Sequence, residues 1–177
     1  PPRSTPKPSS AASDVYKRQV YNVRPESAAA SEHSSVVTNQ SVVARGECTE
    51  NDMDGIHSRL QSLLGEHGAS IDRIYYCPHH PDPLISRGRP DLKIVCDCRK
   101  PEPGLILRAA KEMNIDLDMS WMVGDRISDI EAAKMAGIRS ILLAKQGSFD
   151  NQWSVNPDAT CLDLKEAVDF ILNYSIN

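Results

Sequence analysis

From Val36 onward, short β-branched or aliphatic runs alternate with longer stretches whose apolar residues recur every three or four positions. Glycine or polar clusters punctuate each change. Strands that alternate with helices imply an α/β domain built on an open parallel sheet covered on both faces. Val36-Val37 reads as the end of a buried strand that runs into the turn Thr38-Asn39-Gln40-Ser41. The spacing predicts a helix over 49–64, capped by Thr49 and stopped by Gly65 or Gly68, with Met53, Ile56, Leu60, Leu63 and Leu64 on one face. A strand follows over 71–76. After an irregular stretch to Lys100 comes a helix over 104–113, with Ile106, Ala109, Ala110 and Met113 inward. A buried strand over 120–123 leads to Ser128–Glu131, whose capping-box spacing opens a helix closed by Gly137. Another strand covers 140–144, and Asp163 caps a last helix reaching about Asn173.

Sheets of this kind bind ligands beyond the carboxyl ends of their strands, so the polar clusters there are where chemistry is expected. The rest of the composition narrows the partners. A formal charge of −4 without any Lys/Arg block gives no electrostatic support for a nucleic-acid or membrane-surface role. No apolar run reaches the ~18 residues that span a bilayer, and no signal-peptide pattern is present. Five cysteines, an odd number, argue against a secreted disulfide framework and for a reducing cytoplasm.

Residues 1–35 differ from the rest of the chain, being dense in Pro, Ser and Ala with no apolar period. Such a segment buries too little apolar surface to offset its ordering entropy, so a disordered tail is expected there and a domain over 36–177. Within it, Asp14-Val15-Tyr16-Lys17-Arg18-Gln19 resembles a translated transposon-end sequencing adapter. The tail is therefore expected to be foreign to a coding region starting near Val36.

Cys77-Pro78-His79 and Cys96-Asp97-Cys98 offer three thiolates and an imidazole in two short pairs joined by one loop. Zinc favours tetrahedral S/N coordination, and four protein ligands leave no position for substrate, so this site is structural. Either His79 or His80 can ligate; His79 is preferred for its one-residue separation from Cys77. The loop between the pairs holds Pro81, Pro83, Gly88 and Pro90 and no residue expected in the core. Cys48 and Cys161 lie far away and read as buried thiols.

Three further clusters sit at strand ends or beside the metal loop. Thr38-Asn39-Gln40-Ser41 presents a hydroxyl, amides and turn N–H groups suited to phosphate oxygens, or simply forms a turn. Arg99-Lys100 places two cations directly after the loop, where a solvated pair is the plainer alternative. Gly124-Asp125 comes just after a buried strand, a good position for a Mg²⁺ ligand. Asp129 serves equally as a first-turn helix acid.

Val37–Ser41, Tyr75–Pro81, Cys96–Pro101 and Met122–Asp125 occur in an order and spacing that resemble the D-glycero-D-manno-heptose 1,7-bisphosphate 7-phosphatases, a family of the haloacid dehalogenase superfamily. The resemblance covers the chain from about Val36. It implies a Rossmann-like parallel sheet with a zinc-loop insert and hydrolysis of a sugar phosphomonoester through an aspartyl-phosphate. By the same resemblance, Thr38 would contact the phosphoryl oxygens and Lys100 would stabilise the phosphoryl group and the nucleophile. Arg99, Arg126 and Asn39 to Ser41 would meet the substrate. Asp125 would hold Mg²⁺ with Asp129 behind it, and Cys77, His79, Cys96 and Cys98 would hold Zn²⁺. The partner implied is a small sugar phosphate, bound by a monomer.

The family's Asp-x-Asp-Gly-Thr string, which carries the nucleophile, the general acid and a Mg²⁺ ligand, occurs nowhere in this chain. That string ends a central strand, so without it the chain as given is expected to be inactive and to carry unpaired edges on both neighbouring strands. Val42 stands where the family has Gly and is expected to crowd the turn. Two rivals remain: a histidinol-phosphate phosphatase, whose metal loop is shorter, and a non-catalytic zinc-stabilised binding module.

Overall fold

A computed structural model describes residues 33–81, 88–144 and 155–174. Apart from its last three residues, the expected tail, with its adapter-like string, lies outside them, as does Pro83. In chain order the elements are β1 (Ser35–Asn39), α1 (Glu50–Gly65), β2 (Arg73–Cys77), a 3₁₀ turn (Pro90–Leu92), α2 (Gly104–Met113), β3 (Trp121–Gly124), α3 (Ile127–Ala136), β4 (Arg139–Leu143), β5 (Ala159–Cys161) and α4 (Leu164–Tyr174).

All strand pairs are parallel. β1 lies beside β2 with Val37 opposite Tyr75 and Asn39 opposite Cys77. β3 pairs with β4, and β4 with β5. The period-2 alternation of strand side chains sorts the core into two layers. Met122 points to one face, where it joins Val37, Tyr75 and Cys77 beneath Leu105, Ile106 and Ala109 of α2 and Ala132, Ala133 and Ala136 of α3. Three alanines let α3 lie close to the strands. Trp121 and Val123 point the other way, onto Ala167 and Ile171 of α4. Val43, Ala44, Met53 of α1 and Leu92 form a further cluster against Tyr76.

An open parallel sheet lacking its central strand was expected, and the structure contains a two-stranded and a three-stranded parallel sheet. Among the described residues no strand runs between β1 and β3 to carry hydrogen bonds across. A cavity of about 40 Å³ lies there, lined by Ser35 and Val37 of β1, Trp121 of β3 and Ile106, Ala109 and Ala110 of α2. The shared helical layer holds the two sheets together.

Local expectations were mostly met, with four corrections. α1 has the expected Thr49 cap, whose hydroxyl accepts the Asp52 N–H at 3.1 Å. Its buried stripe, however, carries His57 in place of Leu63, which is exposed. The α3 capping box is built by Arg126 and Asp129, two residues before the expected Ser128–Glu131 frame. Leu92, inside the metal loop, is a core residue after all, because the 3₁₀ turn folds it onto Met53. Cys161 is buried as expected, but Cys48 is only half-buried. β5, three residues long, has too short a β-branched run to be read in advance.

Candidate functional site

The carboxyl end of β1 opens into a polar cavity of about 360 Å³, lined by Thr38, Asn39, Gln40, Ser41, Arg99, Lys100, Arg126 and Asp129. Eight residues singled out from sequence thus meet in one place. The cavity also takes in Val42, Arg45, His80 and Ser128, which the sequence reading did not assign to it. Arg45 carries one usable signal: it follows Ser41 by four residues, one helical turn.

Lys100 is the best-anchored cation. Its Nζ donates to the Val37 carbonyl oxygen at 2.7 Å and lies 2.7 Å from Asp129 Oδ1, with both side chains about 95% buried. Its backbone is clamped as well. Asn39 Nδ2 donates to the Lys100 carbonyl, and Asn39 Oδ1 accepts the Lys100 N–H, both at 3.0 Å. Asn39, expected along the substrate, therefore uses both ends of its amide to position Lys100. Gln40 is fully buried; its backbone N–H donates to the Cys77 carbonyl at 2.7 Å and its Nε2 to Thr38 Oγ1 at 3.3 Å. That second bond leaves the Thr38 hydroxyl proton directed elsewhere, which suits an anionic oxygen in the cavity.

Asp129 Oδ2 accepts the Arg126 N–H at 3.1 Å, so one carboxylate both caps α3 and pairs with Lys100. Gly124 makes this approach possible. A Cβ there would lie 2.4 Å from both Cβ and Oδ2 of Asp129. Asp125 and Arg126 are exposed at the end of β3; Arg126 lines the cavity, and Asp125 precedes it in the chain. A single carboxylate at a strand end suits Mg²⁺, which binds through one or two carboxylates and keeps much of its water. Val42 does not crowd the turn. It packs on the Val43–Met53–Leu92 cluster, and its backbone is not left-handed.

The four metal-binding candidates converge beside the cavity. Cys77 Sγ lies 3.5 Å from His79 Nδ1 and 3.5 Å from Cys96 Sγ; His79 Nδ1 lies 3.2 Å from Cys98 Sγ, and the two thiols of Cys96 and Cys98 are 3.3 Å apart. All four ligand atoms fall within 4.8 Å of one another. Zinc–ligand bonds of about 2.0–2.3 Å in a tetrahedron require separations of roughly 3.3–3.8 Å, so the donor set fits zinc in chemistry, and the four close contacts approach that size. Burial first, then the Cys98 thiol, pushes the Cys77 thiol well above its ordinary range. Burial also raises Cys98. A divalent cation among them reverses that balance. His80 lines the cavity instead, and Arg99 Nη1 donates to the His79 carbonyl at 3.0 Å, tying the cavity wall to the metal cluster.

The strand-end cavity thus holds a buried lysine, a hydroxyl and two arginines, groups suited to anionic oxygens, and the exposed carboxylate of Asp125 precedes Arg126 in the chain. Residues 97–167 match a family model described as HAD-hydrolase-like. The chain belongs to the haloacid dehalogenase-like hydrolases, in the branch of the heptose bisphosphate phosphatases. It is 38% identical over 138 residues to the D-glycero-β-D-manno-heptose-1,7-bisphosphate 7-phosphatase of Escherichia coli K12, covering 78% of this chain and 65% of that protein. The enzyme of the same name from Pasteurella multocida is 43% identical over 112 residues, covering 63% of this chain and 58% of the relative. The crystal structure of D,D-heptose 1,7-bisphosphate phosphatase from B. bronchiseptica, complexed with magnesium and phosphate, superposes with a TM-score of 0.66 at 30% identity, covering 80% of this chain and 75% of that one. The chain spans just under two thirds of the Escherichia coli relative's length.

Proposed function

We propose that this chain supplies the phosphoryl- and sugar-binding part of a D-glycero-D-manno-heptose 1,7-bisphosphate 7-phosphatase. The observation that carries the reading is the meeting of Thr38, Lys100, Arg99 and Arg126 in one polar cavity backed by the Cys/His cluster. The names of its relatives support the substrate.

In this reading the Thr38 hydroxyl donates to a phosphoryl oxygen. The Lys100 ammonium, held between Val37 and Asp129, offsets the charge that grows on the transferring group. Arg99 and Arg126 bind the remaining anionic oxygens or sugar hydroxyls from the cavity wall. Asp125 would hold Mg²⁺, which supplies charge neutralisation to the phosphoryl group. Cys77, His79, Cys96 and Cys98 would hold Zn²⁺, which fixes the wall carrying Arg99. The nucleophile and general acid belong to an Asp-x-Asp-Gly-Thr string that this chain does not contain, so the chain as given binds without turning over. Its ligand is a small sugar phosphate, and the intact enzyme acts on it as a cytoplasmic monomer that needs neither nucleic acid nor membrane. Among the described residues no helix is long and apolar enough to cross a membrane.

The test is a comparison of two substrates. Residues 33–177, preceded in frame by a strand ending in Asp-x-Asp-Gly-Thr, should hydrolyse heptose 1,7-bisphosphate with kcat/KM at least about tenfold above that for histidinol phosphate, a margin of roughly 1.4 kcal/mol. The reverse preference would replace the reading by the histidinol-phosphate alternative. No turnover of either would leave the non-catalytic binding module.

A further inference from the structure

We infer that Arg45 is a positioning residue for the substrate, acting through the Ser41 hydroxyl; this rests on the reading of the cavity as a sugar-phosphate site. Residues 41–47 wrap in a helix-like turn after β1: the Arg45 N–H donates to the Ser41 carbonyl at 3.0 Å, and the Glu47 N–H to the Val42 carbonyl at 3.0 Å. One turn apart, Ser41 and Arg45 share a face, and both line the cavity.

The Arg45 guanidinium is held on two sides. Nε and Nη2 donate to the two carboxylate oxygens of Glu47 at 2.7 and 3.3 Å, while Nη1 donates to Ser41 Oγ at 2.8 Å. With a lone pair of Oγ filled by Arg45, the Ser41 proton turns away from the guanidinium. Among the described residues no acceptor takes that proton. The hydroxyl is thus pre-set as a donor to a ligand oxygen in the cavity, and the rigid fork of Arg45 is what sets it.

The turn itself is clamped from outside by the metal loop. The Arg89 N–H donates to the Ala44 carbonyl at 2.9 Å. A Cβ on Gly88 would fall 2.1 Å from that same carbonyl oxygen, and Gly88 has φ +105°, so glycine alone fits this approach. Arg89 Nη1 also reaches Glu50 of α1 at 3.2 Å. The position of Arg45 is thereby fixed by contacts that the phosphoryl corner at Thr38 and Lys100 does not share.

Calorimetric titration of the 177-residue chain in Mg²⁺ tests this with two probes, inorganic phosphate and heptose 1,7-bisphosphate. Arg45→Met should weaken the bisphosphate about tenfold, the loss of one charge-assisted hydrogen bond, while phosphate binding changes less than about twofold. Arg45→Lys, which keeps the charge but not the fork, should behave like Arg45→Met, and Glu47→Gln should weaken the bisphosphate in the same direction. Adding Ser41→Ala to Arg45→Met should cost little more than either change alone. Full rescue by lysine, additive effects of Arg45→Met and Ser41→Ala, or unchanged bisphosphate binding in Arg45→Met would each overturn the inference and leave the functional reading intact. A wild-type chain that binds neither probe would instead remove that reading, and the inference with it.

Discussion

Lys100 Nζ sits 2.7 Å from Asp129 Oδ1, and both side chains are almost wholly buried. This contact links the residue that follows the metal cluster to the first turn of α3, across the gap between the two sheets. A buried pair of this kind costs little as a pair and much when broken, because the survivor is left charged without compensation. Lys100→Met and Asp129→Asn should each destabilise the fold by about 3–5 kcal/mol in urea denaturation. The double variant should fall short of their sum by about 2 kcal/mol. Strict additivity would mean that the two residues are held independently.

Gly124→Ala tests the same contact from below. The added methyl would lie 2.4 Å from Asp129 Cβ and Oδ2, so Asp129 must move away from both Lys100 and the Arg126 N–H. A loss of about 1–3 kcal/mol is expected from overpacking, together with weaker phosphate binding. Wild-type stability and affinity would show that Asp129 has room to shift.

Chelation addresses the metal cluster. Four ligand atoms within 4.8 Å of one another connect β2 to the residues just before Lys100. On the proposed zinc reading, a strong chelator should lower the melting temperature by roughly 10 °C or more and open the segment after Cys77 to protease. Cys96→Ser with Cys98→Ser should do the same without chelator. An unchanged melting temperature in both experiments would show that the thiols act as packed, metal-free side chains.

Leu92 joins that loop to the core independently of metal. It packs with Val43, Ala44 and Met53, so Leu92→Ala should cost about 2–4 kcal/mol. Equilibrium unfolding of the zinc-loaded protein measures this directly, and a change within about 0.5 kcal/mol would place Leu92 outside the core.

Much of the site was legible because its chemistry lies in contiguous strand-end strings. Thr38 to Ser41, Arg99-Lys100 and the two Cys pairs each name their chemistry locally, and the parallel topology brings strand ends together. What could not be read was which polar groups are already engaged. Asn39 and Gln40 look like ligand-facing amides in sequence, yet the Asn39 amide is occupied by the backbone of Lys100, distant in the chain, and Gln40 is buried with its Nε2 on the Thr38 hydroxyl. Asp129 read as a first-turn helix acid or as a carboxylate behind Asp125, and its pairing with Lys100 was hidden because it depends on the missing Cβ of Gly124. In the fold, Leu92 was hidden because its apolar neighbours Ile94 and Val95 are exposed, so the run has no periodicity to betray which residue is buried.

Recognition of the terminal phosphate of a heptose bisphosphate is the property on which every role assigned to this cavity depends. Phosphorus NMR of heptose 1,7-bisphosphate, incubated with residues 33–177 carrying the Asp-x-Asp-Gly-Thr strand, tests it most directly. The 7-phosphate signal should convert to inorganic phosphate while the 1-phosphate signal persists, and Lys100→Met should abolish the conversion. Loss of the 1-phosphate first, or no release of phosphate from a folded, zinc-loaded protein, would contradict it.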